Sequence, residues 1–317
     1  MDVQFLIQDK SFQDKEEEQW KDIISKIIGN YAGEMGLPLE DLHEFVLADE
    51  EHFAGIAQRY RDIKTSSDND RYSKLAKAIL HKTEKGETKA TLVVRRELIE
   101  QLFSRVEDKE KKWTYTEYLY KYVICHEMGH CLDYRNRPDD LREPGGETDK
   151  FSVRQMYTLF GSVLLDEVAA CAHASRAMTT GVFHQEINSV SEGVERRLNE
   201  LESIKDNYNG QPRALFELAV SASSIFWAIL IQYAKLMGSK INNRDLASYR
   251  MKVWKGAGAG SGVLLSKLGS EIWELWKQYP DWKGADLTFL LEAWYRISIE
   301  SGFKFVETPE GDGVYWE

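Results

Sequence analysis

The feature that most constrains this chain is the stretch His126-Glu127-Met128-Gly129-His130, inside a segment that is predicted to be helical. Two histidines four residues apart on a helix share a face, so both imidazoles can reach one metal ion. Glu127 is turned roughly 100° from His126, which places its carboxylate beside the metal and outside the ligand set. Leu119 and Val123 continue the face of the histidines as an apolar stripe. The pattern predicts an inward-facing metal site; the alternative is a core helix with two incidental histidines.

A third ligand is needed, because a catalytic zinc ion has three protein ligands and one open position. The position six residues beyond the second histidine is Asn136, so this ligand must come from elsewhere. Ser152 begins a capping-box pattern for a second long helix, which we expect to end near Met178. Glu167 interrupts the apolar stripe of that helix, where a carboxylate is unfavourable unless it is paired or binds a metal. Asp166 lies off the stripe, so Glu167 is the predicted third ligand of a Zn²⁺ ion.

The two histidines, followed one helix later by Glu167-x-x-Ala170, resemble the gluzincin class of zinc metallopeptidases. The strand, helix and metal-helix order over about residues 88–178 is similar to the compact ImmA/IrrE-like proteases. The resemblance implies that His126, His130 and Glu167 bind zinc and that Glu127 is the general base for a zinc-activated water. It therefore implies hydrolysis of peptide bonds, with limited cleavage of a protein substrate. The chain departs from the family in its long linker of 36 residues between the motifs and in lacking a clear helix-turn-helix module.

The pattern of the whole chain predicts an α+β fold that is predominantly helical, with a small N-terminal sheet packed on the metal helix and an all-helical C-terminal part. We expect a metallopeptidase domain over residues 1–180 and a helical domain or extension that covers the cleft over residues 181–317. Short apolar runs predict the strands and 3.6-residue periodicity predicts the helices. The predicted strands are Val3–Gln8, Leu42–Ala48 and Ala90–Val94. The predicted helices are 11–36, 53–63, another after the polar loop 64–71, 114–134, 152–178, 183–207, 212–237, 243–253, 262–278 and 284–301.

Composition restricts the classes of partner. The formal net charge is −11 with a pI near 5.3, and a field of that sign repels nucleic acids and anionic membranes. The odd count of three cysteines is typical of a reducing compartment, and no signal-like segment opens the chain. These features predict a cytoplasmic protein without nucleic-acid or membrane partners, whereas the expected peptide or protein substrate follows from the resemblance to metallopeptidases. They do not predict its oligomeric state.

Several other side chains are weaker candidates. Asp133, on the face of the histidines, could accept a hydrogen bond from a ligand or could be a solvated helix end. Cys171 could face the metal but is better explained as a small core residue. An oxyanion would need a donor, and the sequence leaves three possibilities open: Tyr157, His173 and His184.

Two further segments have alternative explanations. The glycine-rich run 256–262 lacks the Lys-Ser/Thr ending of a phosphate-binding loop, so we interpret it as a flexible connection or an active-site lid. Four aromatic residues at helical spacing are predicted to belong to the core of the helical part, with a peptide cleft as the alternative: Trp273, Trp276, Trp294 and Tyr295.

Two other functions compete with an endopeptidase. A non-catalytic zinc-binding regulatory protein could keep the same fold, but a purely structural site would have no use for the unliganded carboxylate of Glu127. Such a site would also need a fourth ligand, for which Cys171 and Asp133 are the available residues. An aminopeptidase would need an acidic group for the substrate's N-terminus, and no motif for one is recognisable.

Overall fold

The computed structural model describes residues 4–7, 14–59, 75–82, 88–107, 112–133, 153–206, 212–241, 259–282, 286–300, 302–308 and 311–316. The fold is α+β and predominantly helical, as predicted. The described residues fall into two compact units. Unit 1 lies within Met1–Arg135 and Ala169–Phe183, and unit 2 lies within Asn136–Val168 and His184–Glu317.

Unit 1 contains a four-stranded sheet with the strand order β1-β2-β4-β3. Its strands are β1 (Gln4–Ile7), β2 (Leu42–Ala48), β3 (Ala76–Lys82) and β4 (Thr88–Arg95). β1, β2 and β4 run parallel, whereas the edge strand β3 is antiparallel to β4, with Ala78 opposite Leu92. The helices of this unit are α1 (Asp14–Met35), α2 (Glu50–Arg59), α3 (Arg96–Glu107) and α4 (Tyr115–Asp133).

Helices cover both faces of this sheet. Four consecutive residues of β2, from Phe45 to Ala48, are fully buried, which requires that side chains on both faces are shielded from water. α2 packs on one face through Phe53 and Ile56, which contact Val46 and Val93 in one apolar cluster. α4 packs against β3 and β4. These contacts place α4 beside the edge strand β3.

Unit 2 is built mainly from long helices. α5 (Val153–Ala174) begins in unit 2 and is followed by a 3-10 turn over Ser175–Ala177. The later helices are α6 (Thr180–Asp206), α7 (Pro212–Ile241), α8 (Ala259–Trp276) and α9 (Thr288–Glu300). The hairpin of β5 (Phe303–Thr308) and β6 (Gly311–Trp316) follows α9.

An aromatic core joins the elements of unit 2. Phe226 and Trp227 of α7 are fully buried and contact Trp294 of α9, whose indole Nε1 donates to the carbonyl of Ser223 at 3.3 Å. Phe303 packs against Phe226 with ring centroids 5.6 Å apart. The prediction that Trp294 belongs to the core is therefore confirmed, whereas Trp273 is 44% exposed and does not.

Two predictions of secondary structure are wrong. The C-terminal part is not all-helical, because β5 and β6 form an antiparallel pair that packs on α7 and α9 through buried aromatic residues. The helix predicted after the polar loop 64–71 is instead β3. The run Ala76-Lys77-Ala78-Ile79-Leu80 has no strong strand propensity, but pairing with β4 overrides this local preference.

Some predictions lie outside the described residues. These are the helix at 243–253, the loop at 137–150, the capping residue Ser152 and the lid at 256–258. The remainder of the glycine-rich run lies in the first turn of α8. Among the described residues, no helix is long and apolar enough to cross a membrane. The domain boundary predicted at residues 180–181 stays a prediction.

Candidate metal centre

A capping box fixes the start of the helix that carries the histidines. The backbone N–H of Thr114 donates to Glu117 Oε2 at 2.5 Å, and the backbone N–H of Glu117 donates to Thr114 Oγ1 at 3.3 Å. These two bonds satisfy N–H groups that have no partner within the helix. The helix continues to Asp133, and every residue from Tyr122 to Leu132 is buried. The predicted helix and its cap are confirmed.

The two histidines lie together on the buried part of α4. His126 is 7% exposed and His130 is 9% exposed, and their ring centroids are 4.7 Å apart at an interplanar angle of 87°. His126 Nδ1 lies 3.2 Å from Glu127 Oε1. This contact places the Glu127 carboxylate directly beside one of the two histidines.

A small–small contact brings α5 close to α4. A Cβ atom at Gly129 would lie 2.8 Å from the Cα atom of Ala170, so the backbones of the two helices touch at a position between the histidines. Glu167 lies three residues before Ala170, about one helical turn away on α5. The absence of a side chain at Gly129 therefore sets how closely the turn that carries Glu167 can approach.

The three predicted ligands form one buried group. The ligand atoms of His126, His130 and Glu167 all lie within 4.8 Å of one another. In a tetrahedral site with ligand distances near 2.1 Å, ligand atoms are about 3.4 Å apart, so small movements of the side chains would close this group on an ion. Two imidazoles and one carboxylate are a donor set that suits Zn²⁺ and other first-row transition metals. The residues therefore fit a metal ion, whose identity the geometry leaves open.

Glu127 occupies a different position from the ligands. It is 9% exposed, and its Oε2 accepts the backbone N–H of Ala78 on the edge strand β3 at 2.7 Å. This contact anchors the carboxylate beside His126 without adding it to the three-residue group.

A lysine that the sequence analysis missed contacts Glu167. Lys235 Nζ of α7 lies 3.4 Å from Glu167 Oε2, and the two side chains are 8% and 3% exposed. A lysine is almost never this deeply buried unless it is paired. The sequence feature that could have identified Lys235 is its position directly after the most apolar segment of the chain, Leu218–Ala234. The other missed residue, Ala78, acts through its backbone and left no signal in the sequence.

The cysteines have roles in packing. All three are buried and reduced. The hydroxyl of Tyr122 donates a hydrogen bond to Cys171 Sγ at 3.7 Å. Cys131 Sγ donates to the backbone carbonyl of Thr91 at 3.9 Å. Burial raises the pKa of the Cys125 thiol to about 12. Within the described residues, no cysteine joins the metal-binding group.

The remaining candidates are not part of that group. His173 is buried in α5 and His184 is exposed on α6, and the group among the described residues includes neither. The side chains of Asp133 and Tyr157 lie outside the described part of the chain. The residue that would stabilise an oxyanion therefore stays open.

Comparison of the chain with protein-family models, with curated proteins and with solved structures finds no match.

Proposed function

We propose that this chain is a zinc-dependent peptidase in which His126, His130 and Glu167 hold the metal and Glu127 is the general base. The observation that carries the proposal is the buried His-His-Glu group with a second carboxylate beside it that is not a ligand. A structural zinc site usually has four protein ligands, whereas a catalytic site has three. Three ligands with an adjacent base therefore favour catalysis over a purely structural role.

The metal and Glu127 would divide the chemistry. A bound Zn²⁺ ion polarises the scissile carbonyl and lowers the pKa of water towards neutrality. The carboxylate of Glu127 accepts the proton of the attacking water and later donates it to the leaving amine. Its contacts with Ala78 and His126 hold it in one orientation beside the ligands.

The general base lies beside the edge strand β3, whose residues from Ala76 to Leu80 are buried. Because the N–H of Ala78 donates to Glu127, this residue directs its backbone groups away from β4. Ala76 and Leu80 lie two residues away and therefore share this outward orientation. The burial of both histidines favours an extended segment over a folded surface as the substrate.

The test is to measure zinc content and cleavage of a peptide and protein library with the full chain. We expect Glu127→Gln to keep zinc and to lose about 10²–10⁴-fold in cleavage rate, because the amide cannot accept the proton. Glu167→Ala should lose zinc. Asp166→Ala is the matched control, since it removes the neighbouring carboxylate of the same helix, and it should keep zinc and activity.

Two outcomes would contradict the proposal. Retention of zinc by Glu167→Ala with its loss by Asp166→Ala would show that the ligand is misassigned. Wild-type protein that holds zinc but cleaves nothing beyond the Glu127→Gln background would favour the alternative, a non-catalytic zinc-binding regulatory protein.

A further inference from the structure

The pair of Lys235 and Glu167 is unusual for a site that binds a cation. The ammonium lies 3.4 Å from Oε2 of the carboxylate, and both groups are almost completely buried. A positive charge beside a metal ligand opposes metal binding. By Coulomb's law, a unit charge ~6 Å from a divalent ion weakens binding about tenfold even at the dielectric constant of water. A lysine at this position therefore has a cost in metal affinity.

One explanation is that the pair only allows both charges to be buried. Removal of one partner of a buried pair is strongly destabilising, so a contribution to folding is expected in any case. The contact between the two groups is made to Oε2 of Glu167, at 3.4 Å. A carboxylate can bind a metal through one oxygen or through both, and the second mode would occupy the position that a catalytic zinc leaves open.

We propose that Lys235 is a positioning residue that engages Oε2 of Glu167, so that Glu167 presents a single oxygen to the metal and one coordination position stays open. This inference rests on the proposed metal centre. The ammonium is a compact point charge with three donors, which can hold one carboxylate oxygen without withdrawing the other. Lys235 thereby lowers the affinity for the metal but keeps one coordination position of the metal accessible.

Two substitutions at Lys235 separate positioning from simple burial. Lys235→Met keeps the length of the side chain but removes the charge, which frees Oε2 to bind the metal. We expect Zn²⁺ affinity, measured by chelator competition, to rise about tenfold. Lys235→Arg keeps the charge but presents a planar fork that pairs with both carboxylate oxygens, so Zn²⁺ affinity should fall by at least tenfold.

Co²⁺ substitution reports the coordination number without any assay of activity. We expect the intense visible absorption of a four-coordinate site in the wild type and a weaker, five-coordinate spectrum in Lys235→Met. The matched control is Lys267→Met, which removes an exposed lysine of α8 that pairs with Glu292 at 3.2 Å. That variant should keep the wild-type affinity and spectrum.

The outcomes distinguish an error in the proposed metal centre from an error in the proposed role of Lys235. If Glu167→Ala keeps its metal, the proposed centre itself is wrong. If Glu167→Ala loses the metal while Lys235→Met leaves both affinity and spectrum unchanged, only the role of Lys235 is refuted. Equal losses of affinity in Lys235→Met and Lys235→Arg would also refute it, because they indicate a role in burial alone. Circular dichroism checks folding first, and Lys235→Arg alone decides the test if Lys235→Met does not fold.

Discussion

Substitution of Gly129 by alanine tests whether the contact between α4 and α5 holds the residues of the proposed metal centre together. The added Cβ would lie 2.8 Å from the Cα of Ala170, 3.3 Å from its Cβ and 3.3 Å from its carbonyl oxygen. Ordinary carbon–carbon contacts are about 3.5–4.0 Å, so the helices must separate by roughly 1 Å at this point. The nearest atom belongs to the backbone of α5, and no change of rotamer can move it.

Two opposing effects set the change in stability. Overpacking of a close contact costs about 1–3 kcal/mol, whereas replacing glycine by alanine inside a helix contributes about 0.5–1 kcal/mol of stability. The free energy of unfolding should therefore fall by roughly 0.5–2 kcal/mol in Gly129→Ala. The same displacement moves Glu167 away from the histidines by more than the ~0.2 Å tolerance of a metal site. Zinc affinity should then fall by about tenfold or more.

Gly29→Ala is the matched control, because a Cβ at this position of α1 meets no atom within 4 Å. It should stabilise the chain by about 0.5–1 kcal/mol and leave zinc affinity unchanged. Urea unfolding and chelator competition measure the two quantities. The double substitution Gly129→Ala with Ala170→Gly should give little rescue, since the Cα of Ala170 remains. The reasoning is refuted if Gly129→Ala is as stabilising as Gly29→Ala and binds zinc equally well.

Two further predictions concern α4. The raised pKa of Cys125 means that the folded state keeps a thiol proton that the unfolded chain loses above pH 9, so stability falls as pH rises from about 9 towards 12. Between pH 7 and pH 10, the free energy of unfolding of the wild type should fall by about 1.4 kcal/mol more than that of Cys125→Ala, measured by urea unfolding under reducing conditions. A difference between the two proteins that does not change with pH would contradict this prediction. Thr114→Ala should cost about 1 kcal/mol by removing the capping bond, whereas Thr116→Ala, two residues later, should cost nothing comparable in the same assay.

The sequence predicted best what depends on local spacing. His126, Glu127 and His130 are related by helical geometry alone, and the capping box at Thr114 and Glu117 is complete within four residues. The order and type of most elements followed from periodicity for the same reason. Their packing did not, because the contact of Gly129 with Ala170 depends on two residues 41 positions apart in the chain.

The edge strand β3 shows why the rest could not be predicted. Its sequence favours a helix locally, and only its pairing with β4 makes it a strand. The hydrogen bond from Ala78 to Glu127 depends on that pairing, so this contact of the proposed general base could not be predicted from the sequence. A backbone donor also leaves no residue type to recognise, because any amino acid except proline can provide it.

Glu167 and Lys235 show that one physical rule could have found more of the site. Glu167 was predicted because a carboxylate in an apolar helical stripe requires a partner. The same rule applies to Lys235, which follows the most apolar segment of the chain and is almost completely buried. The two residues are 68 positions apart, and each is the other's partner at 3.4 Å. Opposite charges that interrupt separate apolar helices are therefore best considered as a pair. In this chain, that pair is the basis of the proposal that Lys235 keeps one coordination position of the metal open.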